Sequence, residues 1–240
     1  ASYNQGYKSG GVQFTATSID LARQTFDPEE IDAYEVGIKS DLLDDRLRLN
    51  ASAFFYEYSD LQQQRVEIIG GAPSAVTRNA AQAEIQGVEI DVTWIATDEL
   101  LFRFGYNYLD ATFDEFIGTA GADLSGNPLP NSPEHTLSAS VDYQKRLPND
   151  WTLGLGTDWF WTDDQNYDVF TDDPFTQQEA YDTGQIRVTL DSPDDRFNFT
   201  LYAENVTDEE FTNSLVRRSS EVLDTVTDGT RYGARLRVNF

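Results

Sequence analysis

The chain is 240 residues long, has no Cys and a single His, and carries a net charge of −25. That excludes disulfide frameworks, thiolate sites and Cys nucleophiles, leaves His-based zinc and Ser-His-Asp chemistry without material, and repels nucleic acid. Aromatics make up 13%, and no apolar run nears the roughly 18–20 residues of a transmembrane helix, so a membrane crossing here has to use strands.

Apolar residues recur at a period of two, which predicts β-strands with one apolar face each. A strand end covers residues 1–6. Arg46 to Tyr56 sets Leu47, Leu49, Ala51, Ala53 and Phe55 against Arg48, Asn50, Ser52 and Phe54. Gly87 to Trp94 sets Val88, Ile90, Val92 and Trp94 against Glu89 and Asp91. Leu100 to Tyr108 sets Phe102, Phe104, Tyr106 and Tyr108 against Arg103 and Asn107. His135 to Tyr143, Trp151 to Trp161, and the segments around Val188, Phe199 and Leu236 continue the pattern. The sum is roughly nine full strands and the end of another, each about 9–13 residues, against about 9–11 for a tilted membrane strand and about 5–6 for an ordinary one. His135, at a strand start, reads as a polar surface residue.

The connections alternate in length. Asp44-Asp45, Thr97-Asp98-Glu99, Pro148-Asn149-Asp150 and Ser192 to Asp195 have the composition of tight turns. Tyr7 to Glu29, Glu67 to Ala81, Asp114 to Pro133, Asp163 to Gln178 and Val206 to Gly229 read as long loops. Such alternation belongs to an outer-membrane barrel with periplasmic turns and external loops. Trp94, Tyr143, Trp151 and Phe197 lie beside turns, and Tyr106, Tyr108, Trp159 and Trp161 beside loops, as two aromatic girdles. Arg48, Glu89, Asp91, Arg103, Arg187, Arg235 and Arg237 occupy the opposite phase, where a polar lumen is expected.

The last strand alternates Tyr232, Ala234, Leu236, Val238 and Phe240 against Arg231, Gly233, Arg235, Arg237 and Asn239, and its terminal aromatic resembles the assembly signal of outer-membrane barrels. In order along the chain come Gly6-Tyr7-Lys8-Ser9-Gly10-Gly11, Asp27-Pro28-Glu29-Glu30, Tyr34-Glu35-Val36-Gly37-Ile38-Lys39, Leu47 to Phe55, Tyr58 to Gln62, Asn79 to Glu89, and Glu204 to Phe211. Together they resemble the TonB-dependent outer-membrane receptor family. The resemblance implies an all-β, antiparallel up-and-down transmembrane β-barrel, with residues 1–240 as about the last ten strands of a 22-strand-type barrel. On that reading the plug domain, the TonB box and the first barrel strands lie outside the chain. The sequence begins Ala1-Ser2-Tyr3, has no Met and shows no leader, so a processed or artificial boundary is expected.

The implied function is TonB-dependent import of a scarce ligand across the bacterial outer membrane. A ferric siderophore is the family's commonest theme; haem, cobalamin and oligosaccharide are alternatives. The implied partners are the TonB complex, outer-membrane lipid and lipopolysaccharide, and the barrel-assembly machinery through the Phe240 strand. No cofactor, resident metal or catalytic set is expected. The rivals are a passive porin or small self-contained barrel, and a secreted β-sandwich lectin or hydrolase. In-strand glycines Gly37, Gly87, Gly105, Gly154, Gly156 and Gly233 read equally as room for a plug or as points of bending. Loop residues Tyr167, Phe170, Phe175, Gln177 and Asn213 are the ligand candidates, with Arg217 and Arg218 for an anionic ligand or lipopolysaccharide. Asp163-Asp164, Asp168 and Asp172-Asp173 read as a solvated acidic loop ahead of a Ca²⁺ site, because their spacing fits no EF-hand.

Overall fold

A computed structural model of the chain describes residues 1–13, 23–69, 71–118, 121–218 and 221–240, without the side chains at 65, 66, 72, 73, 214, 216–218, 221 and 222. In chain order the strands are β1 (Ser2–Lys8), β2 (Gly11–Val12), β3 (Thr25–Phe26), β4 (Glu29–Leu42), β5 (Leu47–Ile69), β6 (Ala72–Thr97), β7 (Leu100–Phe116) and β8 (His135–Arg146). They continue as β9 (Thr152–Thr162), β10 (Gln165–Asn166), β11 (Gln177–Gln178), β12 (Tyr181–Asp191), β13 (Phe197–Glu204), β14 (Thr212–Arg218), β15 (Glu221–Val226) and β16 (Arg231–Val238). Ten of them form one antiparallel sheet in the order β1-β4-β5-β6-β7-β8-β9-β12-β13-β16, so each pairs with the next in the chain. The other six make three small hairpins inside the long connections. No helix among the described residues is long and apolar enough to cross a membrane.

The expected turns lie where their Asp residues permit them. Leu43, Asp44 and Asp45 take φ values of 54°, 53° and 65°, and Asp150 and Asp195 take 62° and 54°. Asp tolerates this left-handed region because its short side chain bonds the local backbone.

One expected loop is strand. Residues 67–69 and 72–81 continue β5 and β6 as a paired ribbon, Leu61↔Ala81 to Ile69↔Ala72. β4 stops pairing at Glu30↔Ser59, so the ribbon stands clear of it by roughly 25–30 Å. A bulge between Tyr58 and Leu61, with Asp60 at φ 54°, marks the departure. β5, β6 and β7, at 23, 26 and 17 residues, therefore exceed the expected strand length. Amide side chains attach the first long connection to this ribbon. Gln13 donates to the Thr77 carbonyl at 2.7 Å and accepts from its N–H at 2.9 Å. Asn79 does the same with Asp27, at 2.9 and 2.7 Å, and donates to Asp60 at 2.8 Å. Each amide stands in for a missing strand partner.

The register separates the two faces, because directly paired residues point the same way. One row reads Leu42, Leu47, Trp94, Phe102, Val141, Thr157, Ile186, Ala203 and Tyr232. The row one step along, on the other face, reads Asp41, Arg48, Thr93, Arg103, Ser140, Asp158, Gln185, Glu204 and Arg231. On the apolar face Phe104, Leu155, Leu201 and Leu236 are exposed and Leu49, Phe55 and Val92 half-buried, so no second sheet covers them. Trp94 stacks on Phe102 at the turn end, at 5.5 Å.

The apolar cluster of buried residues is small and sits at the loop end. Ala81, Ala83, Phe113, Phe116 and Leu124 form it, with Leu129 and Val169 packed against it. The β7–β8 connection reaches it by pairing along the free edge of β7: Gly126 N–H donates to the Phe113 carbonyl at 2.6 Å and Leu129 N–H to Ala111 at 2.9 Å.

Candidate functional site

The polar face carries a bridged charge network near mid-strand. Asp142 accepts from Arg103 at 2.7 Å and also from Arg187, whose guanidinium reaches on to Asp158. Gln185 donates to Asp158 at 3.2 Å. These groups come from β7, β8, β9 and β12, and their strand phase alone puts them together.

The glycines on this face answer a question that the sequence left open. A Cβ at Gly156 would stand 2.5 Å from the Arg187 Cζ, one at Gly87 2.6 Å from the Phe54 Cζ, and one at Gly154 within reach of the Thr189 hydroxyl. They make room for side chains of the neighbouring strand, which neither expected reading anticipated.

At the loop end, three long connections are tied into one cap. Tyr167 donates its hydroxyl to the Thr212 carbonyl at 2.6 Å, and Thr212 N–H donates to the Gln178 side chain at 2.8 Å. Asn131 N–H donates to the Asn166 carbonyl at 2.8 Å, and the Asn127 amide to Val169 at 3.0 Å. Phe211 stacks on Tyr181 at 4.0 Å, with the rings 10° from parallel. Beneath this cap lies a cavity of about 730 Å³ on the polar face, lined by Asp158, Phe160, Glu204, Phe211, Asp228 and Arg231 among others. Asp208, at the root of the last connection, accepts from the Thr230 N–H at 2.9 Å and its hydroxyl at 3.1 Å, which holds its carboxyl below the ordinary range.

A model of the TonB-dependent receptor-like β-barrel family matches residues 1–206. The chain belongs to that family. It is an outer-membrane β-barrel chain, so the apolar face meets lipid and the polar face lines the lumen. The metal-pseudopaline receptor CntO of Pseudomonas aeruginosa is 33% identical over 129 residues, which are 53% of this chain and 17% of that receptor. The probable TonB-dependent siderophore receptor PiuA of Acinetobacter baumannii is 29% identical over 146 residues, 58% of this chain and 18% of the relative. The crystal structure of the ferric yersiniabactin uptake receptor FyuA from Yersinia pestis superposes with a TM-score of 0.81 at 20% identity, over 99% of this chain and 34% of the other. The chain thus spans about a fifth of the curated relatives and a third of that structure.

In this barrel chain the loop candidates belong to the cap, where Tyr167 N–H donates to the Thr176 carbonyl between Phe175 and Gln177. Tyr167 spends its hydroxyl on Thr212, and Gln177 bonds the Thr171 carbonyl. Phe170 and Phe175 are 36% and 74% exposed, and Asn213 is exposed. None of these five lines the large cavity. The side chains of Arg217 and Arg218 lie outside the described residues. The acidic loop residues serve turns: Asp163, Asp168 and Asp173 accept from the N–H of Asp164, Val169 and Phe175. Among the described residues no three metal-ligating side chains gather. Sequence reasoning missed Asp142 and Asp158 as the partners of Arg187, although both stand in the polar phase of their strands.

Proposed function

We propose that this chain is the C-terminal wall of a receptor that imports a scarce ligand across the outer membrane, energised through TonB, with a ferric siderophore as the cargo. The observation that carries this reading is the family match over residues 1–206, joined to a lipid-facing wall whose lumen side is charged. Two of the curated relatives are named as a metal-pseudopaline receptor and a probable siderophore receptor. An open ten-stranded sheet has two free edges, which lipid does not tolerate, so the reading includes further barrel strands and a plug in the parent protein. The test is uptake of radiolabelled ferric chelates by cells expressing the full receptor. Uptake that stops when TonB is deleted or the proton gradient is discharged supports the reading. Uptake indifferent to both sinks it and favours a passive porin.

A further inference from the structure

The charges of the polar face divide by strand. On β7, β8, β9 and β12 the mid-wall charges are Arg103, Asp142, Asp158 and Arg187, two of each sign. Each is engaged by another of the four: Asp142 meets both guanidinium groups, and Asp158 meets that of Arg187. Around them on the same phase stand Gly105, Ser138, Ser140, Gly156 and Gln185, all uncharged. The strands to either side differ. Among the described residues Glu35, Lys39, Glu89 and Asp91, on β4 and β6, have no ion pair. Arg235 and Arg237 on β16 have none either, although Arg235 lies over the Tyr202 ring at 5.9 Å.

The middle strands also carry a trough. The cavity of about 730 Å³ under the cap and a recess of about 310 Å³ share Ser138 and Phe160, so they run together from the cap onto the mid-wall. A body that fills the lumen forms ionic bonds where the wall has charge to offer. On the middle strands it gains such a bond only by drawing Asp142, Asp158 or an arginine out of a charge-assisted bond already made. The middle of the wall is therefore the weakest ionic contact that a plug has here, and the margins are the strongest. Under load the weakest contact parts first.

We propose that the transport route opens along this middle wall, between β7 and β12, while the plug of the parent receptor keeps its ionic hold on the charged strands to either side. The proposal rests on the import reading. Its test compares Ser140→Cys on β8 with Asn50→Cys on β5, two half-buried positions of the polar face, one in the middle and one at the margin. Each is made in the full receptor with its other cysteines replaced, in cells given the radiolabelled ferric chelate of the uptake test. A small impermeant maleimide should label Ser140→Cys about tenfold faster with TonB and chelate present than with either absent. Asn50→Cys should keep one slow rate throughout. Each variant is its own control, so differences in thiol reactivity cancel. Heat-modifiable migration in a gel reports assembly, and Ser138→Cys and Ser52→Cys on the same strands replace a variant that fails to assemble. A rise at Asn50→Cys alone, equal rises at both, or no rise at either while TonB-dependent uptake proceeds overturns the route and leaves the import reading standing. Chelate uptake that ignores TonB removes the import reading, and the route with it.

Discussion

The Arg187 guanidinium lies over Gly156, so close that a Cβ on the glycine would stand 2.5 Å from its Cζ. From there it reaches Asp142 on one side and Asp158 on the other. Arg187 and Asp142 are about a third and a quarter exposed, so the lumen screens the bridge only in part. Gly156→Val should push the guanidinium off both carboxylates and cost about 1–3 kcal/mol by overpacking. Asp142→Asn or Asp158→Asn alone leaves one carboxylate in place and should cost about 1 kcal/mol or less, whereas the double variant should lose more than the sum. Urea midpoints of the full receptor refolded into vesicles measure this. Strict additivity would show that the bridge does not act as a unit.

Ala139 and Ser140 are neighbours on opposite faces. Ala139 is flanked by Phe104 and Trp159, and Ser140 by Arg103 and Asp158. Ala139 lies near the middle of β8 on the lipid-facing side, where an arginine costs up to about 2–4 kcal/mol, the midplane value. Ala139→Arg should therefore depress the assembled fraction on a heat-modifiability gel, and Ser140→Arg should leave it nearly unchanged. Equal effects would mean that the faces are wrongly assigned.

The sheet was legible in the sequence wherever one face meets lipid and the other water, because that asymmetry writes itself into alternation. The β5–β6 ribbon was not. Gln62-Gln63-Gln64-Arg65 and Thr77-Arg78-Asn79 are polar in both phases, and such a stretch reads as loop even though Ser74 and Val76 beside it are buried. Arg78 there pairs with Glu67 at 2.8 Å across the hairpin, a contact invisible until the register is known. For the same reason Tyr167 was legible as a loop aromatic, but its bond to Thr212 was not.

Asp208 supplies a pH dependence outside the membrane band. Its carboxylate accepts both the N–H and the hydroxyl of Thr230, which lowers its pKa in the folded loop. A lowered folded value means that the contribution is fully present above the ordinary 3.8 and is lost as pH falls through the lowered value. The β13–β16 connection should thus resist pepsin at pH about 4 and open progressively at lower pH, and Asp208→Asn should flatten that dependence. A wild-type profile as flat as that of the variant would remove Asp208 from the closure.

The last prediction concerns which end faces out. Asn239 N–H donates to the Arg196 carbonyl at 2.9 Å and its side chain to Asp195 at 2.7 Å, so the chain end lies beside the β12–β13 turn. The antiparallel order puts the turns at 43–46, 98–99 and 147–151 at that same end, and the long connections at the other. If the final strand ends in the periplasm, as in outer-membrane barrels generally, the cap tied by Tyr167 and Asn131 is external. Phe175 in that cap is 74% exposed, and Asp45 is exposed in the first turn. Residues 1–240 hold no Cys, so single Phe175→Cys and Asp45→Cys variants in a receptor whose remaining cysteines are replaced carry the reporting thiol. On intact cells an impermeant maleimide should label the first and spare the second, and permeabilising the outer membrane should expose both. Labelling of Asp45→Cys alone would invert the wall and put the Phe160 cavity at the periplasmic mouth. That would leave it no route to a ligand arriving from outside.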